Sequence, residues 1–235
     1  DINPTRITPV LTIAIIIVAT LVFVVTQPQD DTEAVRFLYE RAAIACELTT
    51  GEPLEVREIN QDVCLDEPGG SAVPFPDKNV WLAAVGWAHL IFNMWALWIF
   101  GNNIEESFGR LGYLALYGIG GVVATLGFVA ANPDATVPLV GASGAIAAVM
   151  GAYAVLFPGH QVLTLFWFWI VPIPAAAFLL IWFFAQFAFI GEGSGIAWEA
   201  HVAGFIFGIV VALALRRFLL RRAGTADDSA PSLFR

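Results

Sequence analysis

Two short motifs interrupt long apolar runs. One is Gly141-Ala142-Ser143-Gly144 and the other is Ala200-His201-Val202-Ala203-Gly204. Serine supplies a hydroxyl that becomes a nucleophile when a base removes its proton, and neutral histidine is such a base. Polar or ionisable residues at membrane depth are costly, so they are read as functional by default. His89 and Asn93 form a second polar pair inside an apolar run, spaced to share one helix face. An asparagine amide, a histidine N–H and the Ser143 backbone N–H could together hold an oxyanion. Each residue alone has a plainer explanation. Serine commonly bonds a backbone carbonyl between packed membrane helices, and His89 with Asn93 could simply bridge helices. The combination favours chemistry. His160, in the turn Pro158-Gly159-His160-Gln161, reads as a solvated loop residue.

The elements that must position these groups follow from composition. The chain has 235 residues, 58% hydrophobic and 13% charged, against about 25% charged in soluble domains. This points to a membrane protein with several spans. Six spans can be drawn: 9–26 (read as a retained helix rather than a signal core), 81–100, 111–131, a short one at 143–156, one within 162–190, and 196–220. The fifth contains Pro172 and Pro174 and should become helical only after them. Arg6, Arg110, Arg216, Arg217, Arg221 and Arg222 fall on one side if the spans alternate, which makes that side and both termini cytoplasmic. At 1.5 Å per residue, His89 lies about 12 Å and His201 about 8 Å below the outer surface, with Ser143 at the start of its span. The three are therefore expected at similar depth. Ser143, Ala147 and Gly151 share a face, as do His201, Gly204 and Gly208. Small faces of this kind let helices approach closely.

The segment 27–80 is then outside. It carries twelve acids and four bases, so the net charge of −9 says little about the rest of the chain. A helix is expected over 31–48 and irregular chain beyond it. Cys46 and Cys64 both fall here, on an oxidising face, and a disulfide between them is expected. With no histidine nearby, no metal site is expected. The domain plan is residues 1–26 (N-terminus and first span), 27–80 (extracytoplasmic loop, partly helical), 81–222 (catalytic core) and 223–235 (cytoplasmic tail).

Four stretches in order, 86–94 (Gly-Trp-Ala-His-Leu-Ile-Phe-Asn-Met), 101–105 (Gly-Asn-Asn-Ile-Glu), 141–145 and 200–208, resemble the rhomboid family of intramembrane serine proteases. The resemblance covers roughly 81–220. It implies an all-α membrane protein: a six-transmembrane-helix rhomboid-like bundle with a long extracytoplasmic loop between helices 1 and 2. It implies Ser143 as nucleophile, His201 as general base, and His89 and Asn93 as oxyanion donors. Glu105 resembles a buried glutamate bracing the cytoplasmic end of the second helix, and Gly204 a close-packing glycine. Gly141, Gly144 and Gly208 complete the structural positions. Where the family often has an aromatic stacking on the histidine, this chain has Ala147, and the Trp-Arg pair often seen in the outer loop is absent. The expected activity is that of a serine endopeptidase without cofactor. Its expected partners are the lipid bilayer and single-span membrane proteins cut near the outer end of their span, entering past the fifth helix, with no nucleic acid. The expected setting is a bacterial plasma membrane. The rival reading is a proteolytically inactive rhomboid-like protein that binds membrane clients.

Overall fold

The computed structural model describes residues 5–28, 30–65, 69–75, 86–189 and 197–223. The start of the second span (81–85), residue 190 of the fifth, residue 196 of the sixth and the tail from 224 onward lie outside them.

Helices dominate. They are α1 (Val10–Thr26), α2 (Asp31–Arg41), α3 (Ala45–Thr50), α4 (Val56–Gln61), α5 (Gly86–Ala131), α6 (Ser143–Leu156), α7 (Ala175–Gln186) and α8 (Trp198–Ala223). Among the described residues, two helices are long and apolar enough to cross a membrane: Gly86–Ala131 and Trp198–Leu220. α1, α6 and α7 are shorter apolar helices. α5 joins the expected second and third spans and breaks at Gly109, whose φ of 69° and ψ of 168° are non-helical. A side chain would be strained there, so glycine ends one run and lets the next begin.

Small residues decide how the long helices pack. A Cβ on Gly204 would fall on the Gly144 carbonyl oxygen, one on Gly208 on that of Ala148, and one on Gly151 on that of Phe205. α6 and α8 therefore touch backbone to backbone, which replaces the hydrophobic driving force missing in lipid. α5 closes on the same pair through Gly120 against Ala148 and Gly127 against Ala203. Around this contact Leu97, Phe100, Tyr113, Tyr153 and Phe205 form the buried core.

Glu105, wholly buried, binds α1. Its carboxylate accepts from the Leu11 and Thr12 amides at 3.0 and 2.8 Å and from the Thr12 hydroxyl at 2.9 Å. First-turn amides have no partner within their own helix, and Pro9 at the N-cap provides no side-chain bond. The bracing expected of Glu105 is thus directed at the start of α1.

Several local expectations are corrected. The predicted helix over 31–48 is split. Asp30 caps α2 by accepting from the Thr32 and Glu33 amides, but Ala42 turns extended. The short strand β1 (Ala43–Ile44) then pairs antiparallel with β2 (Pro138–Leu139), with Ala43 opposite Leu139. Bonds to a distant partner override local helix spacing here. The stretch expected to be irregular contains α4, started by a reciprocal capping box between Glu55 and Glu58. The part of the expected fifth span (162–190) up to the prolines, where no helix was expected, is a hairpin, β3 (Gln161–Phe166) with β4 (Trp169–Pro174). The chain is therefore not purely α. α7 begins at Ala175, directly after Pro174.

Candidate active site

Ser143 is the first residue of α6, and His201 lies in the first turns of α8. The Gly204–Gly144 contact sits next to Ser143 and one turn from His201. It brings Ser143 Oγ to 2.9 Å from His201 Nε2. Both side chains are half-buried. A hydroxyl bonded to an imidazole nitrogen is the arrangement in which proton removal and nucleophilic attack can be concerted.

The other imidazole nitrogen is also engaged. His201 Nδ1 lies 2.8 Å from Gln186 Oε1. Gln186 closes α7 and is only 5% exposed. Its Nε2 donates to the Trp182 carbonyl at 3.0 Å. Trp182 flanks the imidazole with ring centroids 6.0 Å apart and planes at 40°. The ring beside His201 therefore comes from α7, while Ala147, at the position where the family often has a stacking aromatic, is fully buried in the α6 packing. Sequence reasoning missed Gln186. Its signal was present: a lone amide in an otherwise apolar run, 178–189.

His89 approaches from α5. A Cβ on Gly141 would lie 2.5 Å from His89 Cε1, and Gly141 has φ of +103°. Only glycine suits that backbone and leaves room for the ring. His89 thus packs against the residue two before Ser143. Asn93, one turn on, donates Nδ2 to the His89 carbonyl at 2.9 Å. Its amide is bonded to its own helix rather than to Ser143 or His201. His160, expected to be solvated, bonds the Tyr153 hydroxyl through Nδ1 at 2.9 Å and stacks on Phe157.

Chain residues 81–218, more than half of the sequence, match the Rhomboid domain. The chain belongs to the rhomboid family. Two curated relatives agree. Over 131 residues the rhomboid chain is 34% identical to "Rhomboid protein 1, mitochondrial" of Saccharomyces cerevisiae, covering 52% of this chain and 36% of that protein. Over 72 residues it is 38% identical to "Presenilin-associated rhomboid-like protein A, mitochondrial" of Danio rerio, covering 30% of this chain and 19% of that one. The matches thus span well under half of either relative. Both relatives carry mitochondrial names, so they lend no support to the expected bacterial plasma membrane. Family membership makes the rhomboid chain a membrane protein.

The segment carrying β1, α3 and α4 is strapped to the chain leading into Ser143. β1 pairs with β2 only a few residues before the serine. The Cys46 amide donates to the Ala135 carbonyl at 3.0 Å, and the Thr136 hydroxyl bonds the Asp62 carboxylate. Cys46 and Cys64 are joined in a disulfide. Cys46, Cys64 and Glu58 lie close enough together to suggest a metal site, but paired sulfurs are not the thiolates a metal needs.

Proposed function

We propose that the chain is an intramembrane serine endopeptidase that cuts single-span membrane proteins with a Ser143–His201 dyad. The observation that carries this is the 2.9 Å bond between Ser143 Oγ and His201 Nε2. His201 takes the hydroxyl proton as Oγ attacks the peptide carbonyl. The imidazolium then protonates the departing amine. Water hydrolyses the acyl ester, giving up its proton to His201, and the serine is restored.

The negative oxygen of the tetrahedral species needs donors already in place. The Ser143 amide is at the start of α6, where first-turn amides lack helical acceptors and the helix dipole is positive. His89 reaches the same end of α6 against Gly141. Asn93 has two amide hydrogens, so one can serve the oxyanion while the other keeps the bond to its helix. Gly141, Gly144, Gly204 and Gly208 serve by letting backbones approach.

A bundle of six spans places Ser143, His201 and His89 at one depth below the outer surface, with 27–80 as an outer loop. Arginines at the far end of α8 mark the inner side, and the Cys46–Cys64 disulfide suits an oxidising outer side. That combination supports both termini on the inner side of the membrane. Substrate helices enter beside α7, whose Phe184 and Ile181 are exposed, and unwind to present a peptide bond. The client-binding alternative is disfavoured because both dyad members are present and bonded.

The test is cleavage of a single-span reporter in vesicles by wild type, Ser143→Ala and His201→Ala. Both variants should lose activity by several orders of magnitude. Cleavage that persists in Ser143→Ala would sink the mechanism.

A further inference from the structure

We infer that Gln186 is a positioning residue for the catalytic base, holding His201 in the one tautomer that can accept the Ser143 proton. This rests on the dyad reading above and extends it to a third helix.

The inference follows from which atoms can donate. The Trp182 carbonyl can only accept, so the end of the Gln186 amide that faces it at 3.0 Å must be the NH2. Turning the amide over would set oxygen against oxygen. Oε1 is therefore the end that faces His201 Nδ1 at 2.8 Å, and it too can only accept. Nδ1 must carry a hydrogen. Neutral imidazole has one N–H, so Nε2 is bare and faces the Ser143 hydroxyl at 2.9 Å. The opposite tautomer would place a lone pair of Nδ1 against Oε1. It would also leave no acceptor for the serine proton. Polarity thus runs one way from the serine hydroxyl, through the imidazole and the amide, to a helix carbonyl. Because Gln186 is nearly sealed from solvent, water is poorly placed to replace it.

Gln186 is on α7, whereas the dyad is on α6 and α8. α7 is seated on α8 by Trp182 and Phe183, whose ring centroids lie 5.6 and 5.1 Å from that of Phe205. Seating the last turn of α7 and orienting the base are consequently one event. The amide sets the tautomer without adding charge, unlike the carboxylate of a triad.

The test measures kcat, KM and pH profiles of the full chain in vesicles for wild type, Gln186→Leu, Gln186→Glu and Ser143→Ala. Leucine is close in size but offers no acceptor. It should lower kcat about tenfold to hundredfold with KM within about twofold. Glutamate keeps an acceptor for Nδ1 but sets its second oxygen against the Trp182 carbonyl, so it should recover only part of that loss. Its charge should also move the acid limb of the profile to higher pH by about one unit. A purely packing role would leave the leucine variant active and the glutamate profile unmoved. The inference is overturned if kcat of Gln186→Leu stays within twofold of wild type. It is equally overturned if the Gln186→Glu profile superimposes on wild type or that variant is as slow as leucine. Should Gln186→Leu not fold, the glutamate profile decides alone. Loss of activity in Ser143→Ala alongside an active Gln186→Leu refutes only this inference, whereas activity in Ser143→Ala refutes the protease reading itself.

Discussion

Gly204→Ala is the sharpest probe of how packing creates the site. A Cβ at this position falls on the Gly144 carbonyl oxygen, far inside the 3.4 to 4 Å of ordinary contact. The obstructing carbonyl is backbone, so no side-chain rotation relieves the clash, and close-packed interiors transmit such strain instead of absorbing it. α8 must move away from α6 by roughly 1 Å. The Ser143–His201 bond of 2.9 Å bridges the same two helices, beside the clash. It would stretch to nearly 4 Å, beyond hydrogen-bonding range. A misplacement of this size costs on the order of 100-fold in rate.

The assay is reporter cleavage at saturating substrate, with thermal unfolding measured on the same preparations. Gly118→Ala is the matched control, because nothing lies within 4 Å of its added methyl group and alanine is the better helix former by about 1 kcal/mol. It should keep its rate and gain slightly in stability. Gly204→Ala should lose rate by about two orders of magnitude. If a folded Gly204→Ala enzyme stays within threefold of wild type, backbone contact between α6 and α8 does not set the dyad geometry.

Two other perturbations test the supports around the site. Glu105→Ala leaves the amides of Leu11 and Thr12 and the Thr12 hydroxyl without their acceptor. At about 1–1.5 kcal/mol for each of the three bonds, it should cost roughly 3–5 kcal/mol, read as a fall in unfolding temperature; an unchanged temperature would show that Glu105 does not hold α1. In the segment before α5, bonds from the Ser71 hydroxyl and the Ser71 amide, with help from the Gly70 amide, hold the Glu55 carboxyl below the usual glutamate range. A lowered folded value means that its contribution is full above the ordinary glutamate range and lost as pH falls through the lowered value. Ser71→Ala removes the largest cause. An isotope-labelled Glu55 carboxyl should then titrate at higher pH than in wild type, and identical titration curves would contradict the assignment.

The sequence made some parts legible and not others, for physical reasons. Ser143 and His201 could be read because polar atoms in apolar helices are conspicuous and the spacing of small residues reports which faces touch. The start of α6 at Ser143 and of α7 after Pro174 also follow local rules. β1 could not be read, because its pairing with β2 joins segments about 95 residues apart and nothing local at Ala43 signals it. The hairpin over 161–174 was hidden by its composition, since an uncharged apolar run has the same hydropathy as strand or helix. Gln186 was overlooked for a different reason. Its partner is decided by where α7 seats against α8, and spacing within one helix carries no information about that.

These contacts between distant segments share a purpose that helix packing alone does not serve. The glycine contacts set the distance between α6 and α8 but leave each reacting side chain free to rotate. Ser143 has the β1–β2 ladder a few residues before it and the Gly144–Gly204 contact just after, so its backbone is held from both directions. His201 has the serine on one nitrogen, Gln186 on the other and Trp182 alongside, so the ring has little freedom to turn. Catalytic stabilisation depends on groups that need not reorganise when charge develops. A dyad without a carboxylate has no strong charge to align its histidine. In this chain, Gln186 and Trp182 of α7 supply that alignment without a charge.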